Sequence, residues 1–144
     1  MRSKGPFVRR ILVATDRSPT ADYAVEWAAE MAERYDAELV LLQVVTAEDG
    51  AAARGLTDLA ERVAGTRGRP RVVVSGDPSR AIVEAAESEA ADVVVVGNIG
   101  MSGRKEFLLG NVPNRVSHNA RCTVAIVNTT EQADSGPRRR RWRR

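Results

Sequence analysis

An open, doubly wound α/β fold with one parallel five-stranded sheet and helices on both faces is what this 144-residue chain predicts. Three observations lead there. Apolar, β-branched runs of strand length alternate with longer stretches in which apolar residues recur at helical spacing. Apolar residues make up 43% of the chain and aromatic residues 4%, so the core must be built of Val, Ile, Leu and Ala, as in parallel sheets covered on both sides. Two junctions, Ser18-Pro19 and Asp77-Pro78, place a capping residue before a proline and mark helix starts.

The elements follow in order. Val8 to Thr15, centred on Ile11-Leu12-Val13-Ala14, reads as the first strand and ends at Asp16. Ser18 caps a helix whose apolar positions Ala21, Ala24, Val25, Ala28 and Met31 carry it to about Tyr35. Trp27 and Tyr23 read as packing residues on it. Glu38 to Val45 is a second buried strand. Residues 47–66 form a weaker helix, interrupted by Gly55 and closed by Gly65. Arg71 to Ser75 is the third strand, and the helix opened by Asp77-Pro78 runs to about Ala90. Asp92 to Val96, with four successive valines, is the fourth strand. Residues 112–119 form a short helix with Val112, Val116 and Ala120 inward and His118 on the surface, and Thr123 to Asn128 is the fifth strand.

Strands buried on both faces and joined by helices pair in parallel, and the simplest order is 3-2-1-4-5. The chain then reverses its direction of winding between strands 1 and 4. A ligand crevice opens at the carboxyl ends of the strands flanking such a switch point. The ends that meet there are Thr15-Asp16 and Gly97-Asn98.

Length fits one domain with a single core. Residues 1–6 are expected to be a flexible N-terminus, residues 7–130 the α/β domain, and residues 131–144 a disordered tail. Cys122 is the only cysteine, so no intramolecular disulfide forms and a reducing compartment is expected. No apolar run reaches the ~18 residues of a membrane span, and Met1 to Pro6 lacks the apolar stretch of a signal peptide; a cytoplasmic location follows as the expectation. The net charge of +3 is unevenly spread: residues 1–10 and 131–144 each carry +4, which leaves −5 over residues 11–130. A high isoelectric point arising from basic ends on an acidic domain does not indicate a nucleic-acid-binding fold. The tail from Asp134 through Pro137 to Arg138-Arg139-Arg140-Arg141-Trp142-Arg143-Arg144 is either a solvated terminus or an arm for an acidic partner, an acidic membrane surface or nucleic acid.

The segment Gly97 to Val112 carries the chemistry. It leaves a predicted strand, turns on glycines and enters a predicted helix at Asn111-Val112, so that unpaired backbone N–H groups and the helix dipole converge on one point. Phosphate is the expected guest. Backbone N–H groups around Gly100, Met101, Gly110, Asn111 and Val112 are placed to hold it, with the glycines allowing close approach. Asn98 and Ser102 offer side-chain hydrogen bonds from the same loop, and Arg104 and Lys105 either reach phosphate or remain solvated. Asp16, at the end of strand 1, is placed to hold a magnesium ion or to accept hydrogen bonds beside the phosphates. Gln43, Val44 and Val45 at the end of strand 2, and Ala14 and Thr15 at the end of strand 1, border the same crevice. The spacing G-x-x-x-x-G-K-[ST] and the G-x-G-x-x-G fingerprint are both absent, and no histidine, carboxylate or cysteine cluster suggests zinc.

These residues together resemble the nucleotide-binding subgroup of the universal stress protein family. The likeness covers about residues 7–129. It rests on the early strand ending in Asp16, on Gly76-Asp77-Pro78, on Gly97-x2-Gly100-x9-Gly110, and on the lead-in Lys105-Glu106-Phe107-Leu108-Leu109. The family continues with Ser or Thr after the last glycine, where this chain has Asn111, which can cap the helix but lacks the hydroxyl. The resemblance implies ATP or a related adenine nucleotide (AMP or cyclic AMP), and a homodimer through the last strand. On that implication Asp16 accepts from ribose hydroxyls, Gln43, Val44 and Val45 line the base pocket with strand-end backbone pairing the adenine edge, and Ala14 and Thr15 lie under the nucleotide. Three function classes follow. The first is a regulatory nucleotide-binding stress-response module. The second is an enzyme, for which no general base or arginine finger accompanies Asp16 and which would at most hydrolyse ATP slowly. The third is a nucleotide-free dimeric scaffold working through the arginine tail.

Overall fold

The computed structural model describes residues 7–98 and 112–129. Five strands form one sheet: β1 (Arg10–Ala14), β2 (Glu38–Val45), β3 (Gly68–Val74), β4 (Val93–Gly97) and β5 (Thr123–Val127). The order is β3-β2-β1-β4-β5 and every pairing is parallel, as the sequence predicts. Among the described residues four α-helices lie between them: α1 (Pro19–Tyr35), α2 (Gly50–Ala64), α3 (Pro78–Ser88) and α4 (Val112–Asn119), with one 3-10 turn at Gly65–Arg67.

Side-chain alternation along the strands divides the core into two layers. Ile11, Val13, Leu39, Leu41 and Val95 face α1 and α2, packing with Val25, Ala28, Leu56 and Leu59. Leu12, Ala14, Val40, Leu42, Val94 and Val96 face α3 and α4, packing with Ile82, Ala85 and Val116. The α1 helix starts and stops where local chemistry directs it. Ser18 Oγ accepts the Ala21 N–H at 3.2 Å, and Asp36 ends the helix in a left-handed conformation (φ 60°) with its N–H turned back to Ala32 and Glu33 carbonyls. Asp49 and Asp77 cap α2 and α3 through the N–H groups of Ala52 and Arg80.

Two boundaries depart from the sequence reading. β3 begins at Gly68, three residues before Arg71, because β2 offers a ladder partner all along Leu39 to Val45 and β3 lies at the sheet edge, where Pro70 is tolerated. The α2 helix runs without a break through Gly55, since burial of Leu56, Leu59 and Ala60 outweighs the poor propensity of one glycine. The other elements end within a few residues of expectation; α3, for example, stops at Ser88 before Ala90, whose φ is 55°.

At the amino ends of the strands the Asp92 carboxylate accepts the Arg9 and Arg10 N–H groups at 2.8 and 3.0 Å. Glu38 and Glu89 bind Arg10, Arg69 and Arg71 in one ion-pair network. The amino end is thus clamped by charge contacts.

Candidate functional site

β1 and β4 are neighbours whose continuations part company. Beyond β1 the chain turns into α1 on one face of the sheet, whereas α4, the next described element after β4, lies on the other. That divergence marks the topological switch point, at the carboxyl ends of which folds of this kind bind their ligands.

On the β1 side, Ala14 is buried and faces the α3/α4 layer. Thr15 is fully buried; its N–H donates to the Leu42 carbonyl at 2.9 Å and its Oγ1 accepts the Arg17 N–H at 2.9 Å. Asp16 is half-buried, and its Oδ1 accepts the Ser18 N–H at 2.9 Å, which sets the carboxylate at the positive end of the α1 dipole.

At the end of β2 the three predicted residues separate by alternation. Gln43 pairs with Val72 in register, on the face of Leu39 and Leu41, and its Oε1 is buried without a hydrogen-bond partner. Val44 faces the opposite layer with Ala14. Val45 offers its carbonyl to the Ser75 N–H at 2.9 Å.

The β4 end is held from β5. The Asn98 N–H donates to the Val127 carbonyl at 2.9 Å, and Asn98 Oδ1 accepts the Thr129 N–H at 2.9 Å and the Thr129 hydroxyl at 3.0 Å. Thr129 is buried against Gly97, where a Cβ would lie 3.4 Å from Thr129 Cγ2 and 3.9 Å from Ala24 Cβ. A Cβ at position 97 would thus make ordinary van der Waals contact with both. Val112, the first residue of α4, is half-buried against the α3/α4 layer. Gly100, Met101, Ser102, Arg104, Lys105, Gly110 and Asn111 lie outside the described residues. His118 is exposed as expected, and Cys122 is half-buried, its thiol pushed up by burial and by the Asp92 charge.

The structure adds three residues that the sequence reading missed. Asn128 and Thr129 adjoin the last strand and were legible from topology alone. Arg17 had no signal, because a loop arginine does not announce its target. Its φ is 68°, and its Nη1 donates to the Gly55 carbonyl on α2 at 3.4 Å. An open groove of about 330 Å³ lies between α3 and α4, lined by Asp77, Ser79, Arg80, Val83, Glu84 and Arg115, among others. Hydrogen bonds from the Arg80 N–H and the Ser79 hydroxyl hold the Asp77 carboxyl below the usual range. Among the described residues no three His, Cys, Asp or Glu side chains gather to hold a metal, and no helix is long and apolar enough to cross a membrane.

Comparison with known proteins places this geometry in a family. The model of the universal stress protein family matches residues 8–67 and 47–128. Universal stress protein Rv1636 of Mycobacterium tuberculosis is 34% identical over 143 residues, covering 85% of this chain and 97% of that protein. Universal stress protein MJ0531 of Methanocaldococcus jannaschii is 30% identical over 138 residues, covering 83% of this chain and 81% of that protein. Among solved structures, a universal stress protein crystallised in complex with cAMP superimposes with a TM-score of 0.70 at 34% identity, over 85% of this chain and 98% of that one. A five-stranded parallel sheet in the order 3-2-1-4-5 and these matches along nearly the whole domain make this chain a member of the universal stress protein family.

Proposed function

We propose that this chain binds an adenine nucleotide at the carboxyl ends of β1, β2 and β4 and works as a regulatory stress-response protein through nucleotide-dependent contacts. The observation that carries the reading is the parting of the chain at β1 and β4, in a fold shared with a 34%-identical relative crystallised with cAMP. The base lies against Ala14, Thr15, Val44 and Val45, with Gln43 behind them. The ribose meets Asp16, and the phosphates meet the backbone of Gly97, Asn98, Gly100, Met101, Ser102, Gly110, Asn111 and Val112. ATP is the leading ligand, with magnesium held between Asp16 and the phosphates, its remaining ligands phosphate oxygens and water. AMP fits the same groups. Cyclic AMP is the second reading, favoured by the relative's own ligand. A cytoplasmic homodimer through β5 belongs to this reading; β5 is an edge strand pairing with β4, and Ile126 on it is exposed. The Arg138–Arg144 segment is available to an acidic partner or nucleic acid.

Calorimetric titration of the full chain with ATP, AMP and cyclic AMP, each with and without magnesium, tests this. Micromolar binding of any one supports the site, and the ranking separates an ATP module from a cyclic-nucleotide sensor. Folded protein that binds none of them overturns it.

A further inference from the structure

Three non-glycine residues among those described adopt a left-handed backbone: Arg17, Asp36 and Ala90. Asp36 and Ala90 end helices, where that conformation is customary. Arg17 does not. It sits in the turn between β1 and α1, next to Asp16, in a backbone conformation glycine would adopt without strain. Something in the fold must hold it there.

Its contacts show what holds it. The Arg17 N–H donates to Thr15 Oγ1 at 2.9 Å, and Thr15 is fully buried and tied to β2. The guanidinium then runs between two helices. Nε stands 3.6 Å from Asp22 Oδ1 in the first turn of α1, and Nη1 donates to the Gly55 carbonyl in the second turn of α2, 38 residues away. Gly55 presents bare backbone at that point; a Cβ there would lie 3.5 Å from Nη1. Arg17 Nε and Asp22 Oδ1 are both shielded from solvent, yet they stand too far apart to hydrogen-bond. A closing movement of roughly half an ångström would convert this attraction into a charge-assisted hydrogen bond.

We propose that Arg17 is a positioning residue of the nucleotide site. It is a strut from the β1–α1 turn to α2 that orients the Asp16 carboxylate, closes the α1/α2 side of the crevice and tightens when ligand binds. The ligand then enters from the opposite side, where Ala14 and Val44 face the α3/α4 layer. This inference rests on the nucleotide reading above. The strut links occupancy at Asp16 to the order of α2, whose cap is the exposed Asp49.

Arg17→Gly removes the strut and relieves the backbone. Its melting temperature should stay within a few degrees of the unsubstituted chain, while affinity for ATP and cyclic AMP should fall about tenfold through loss of positioning. Hydrogen exchange gives the readout that a merely structural role would not move. In the unsubstituted chain, saturating ATP or cyclic AMP should slow exchange of the α2 amides around residues 52–59, and in Arg17→Gly that slowing should vanish. Asp22→Asn, which keeps Arg17 but weakens its partner, should lose part of it and carries the test if Arg17→Gly does not fold. Unchanged affinity together with unchanged ligand-linked protection of α2 overturns the proposal. An unsubstituted chain that binds none of the nucleotides overturns the nucleotide reading itself, a result distinct from binding that is indifferent to Arg17.

Discussion

Asp16→Ala probes the β1 end of the site, because the carboxylate has two separable tasks there. The first is local: Oδ1 accepts the Ser18 N–H at 2.9 Å and closes the turn into α1. Loss of one such side chain-to-backbone bond costs about 1 kcal/mol of stability. The second is toward the ligand. A carboxylate accepting from ribose hydroxyls makes charge-assisted hydrogen bonds of about 1.5–3 kcal/mol, which corresponds to a loss of roughly 10–150-fold in Kd on removal. Asp16→Asn separates the two tasks. It retains an oxygen for the Ser18 N–H, so its melting temperature should match the unsubstituted chain, but it loses the charge and should bind ATP and AMP with an intermediate affinity. Cyclic AMP has its 3′ oxygen in the phosphodiester ring and offers one free ribose hydroxyl, so Asp16→Ala should cost it less than it costs AMP. Calorimetric titration beside thermal melting measures both quantities on the same samples. An Asp16→Ala chain that melts slightly lower yet binds ATP and AMP as tightly as before would show that the carboxylate only closes the turn, and would refute its place in the site.

The phosphate segment is tested by Gly110→Val, which should abolish nucleotide binding with the melting temperature preserved; retained binding removes Gly110 from the ligand. Gly68→Ala should destabilise the fold by about 1–3 kcal/mol, since its Cβ would lie 2.6 Å from the Ala60 carbonyl oxygen and 3.0 Å from Ala64 Cβ, and a thermal melt indistinguishable from the parent would contradict that close approach of α2 to β3. The ion-pair network predicts an acid limb. The Arg69 hydrogen bond leads in holding the Glu89 carboxyl low, against burial and with help from Arg71. Burial pushes Glu38 up, but its hydrogen bonds and charge contacts with Arg10 and Arg69 together outweigh it. Both folded values lie below the ordinary 4.5, so this stabilisation is complete above about pH 4.5 and is lost as pH falls through the depressed values. Denaturant melts from pH 6 downward should show that loss, and Glu89→Gln should flatten it; a slope unchanged in Glu89→Gln would assign the acid sensitivity elsewhere.

Most of the fold was legible because it follows from short-range rules. Period-2 burial, period-3.6 apolar spacing and the caps at Ser18 and Asp77 act within a few residues of where they are written. The strand order was the simplest one open to helix-joined parallel strands, and with it came the place where Asp16 and Gly97 would meet. The extent of β3 was not legible, because a strand at the sheet edge is as long as its neighbour lets it be, and Pro70 reads locally as a break. The continuity of α2 through Gly55 likewise depends on what Leu56 and Leu59 bury against.

By itself, then, the sequence determined the fold class, the strand order and the helix starts. Only the tertiary structure decided which helix layer each face of the sheet meets, Val44 facing α3 and α4 and Gln43 the side of α1 and α2, and which distant groups meet. The Arg17–Gly55 contact, for one, spans 38 residues. Such pairings are settled by the path of the backbone through the packed core, and no periodicity in the sequence encodes the separation of the partners.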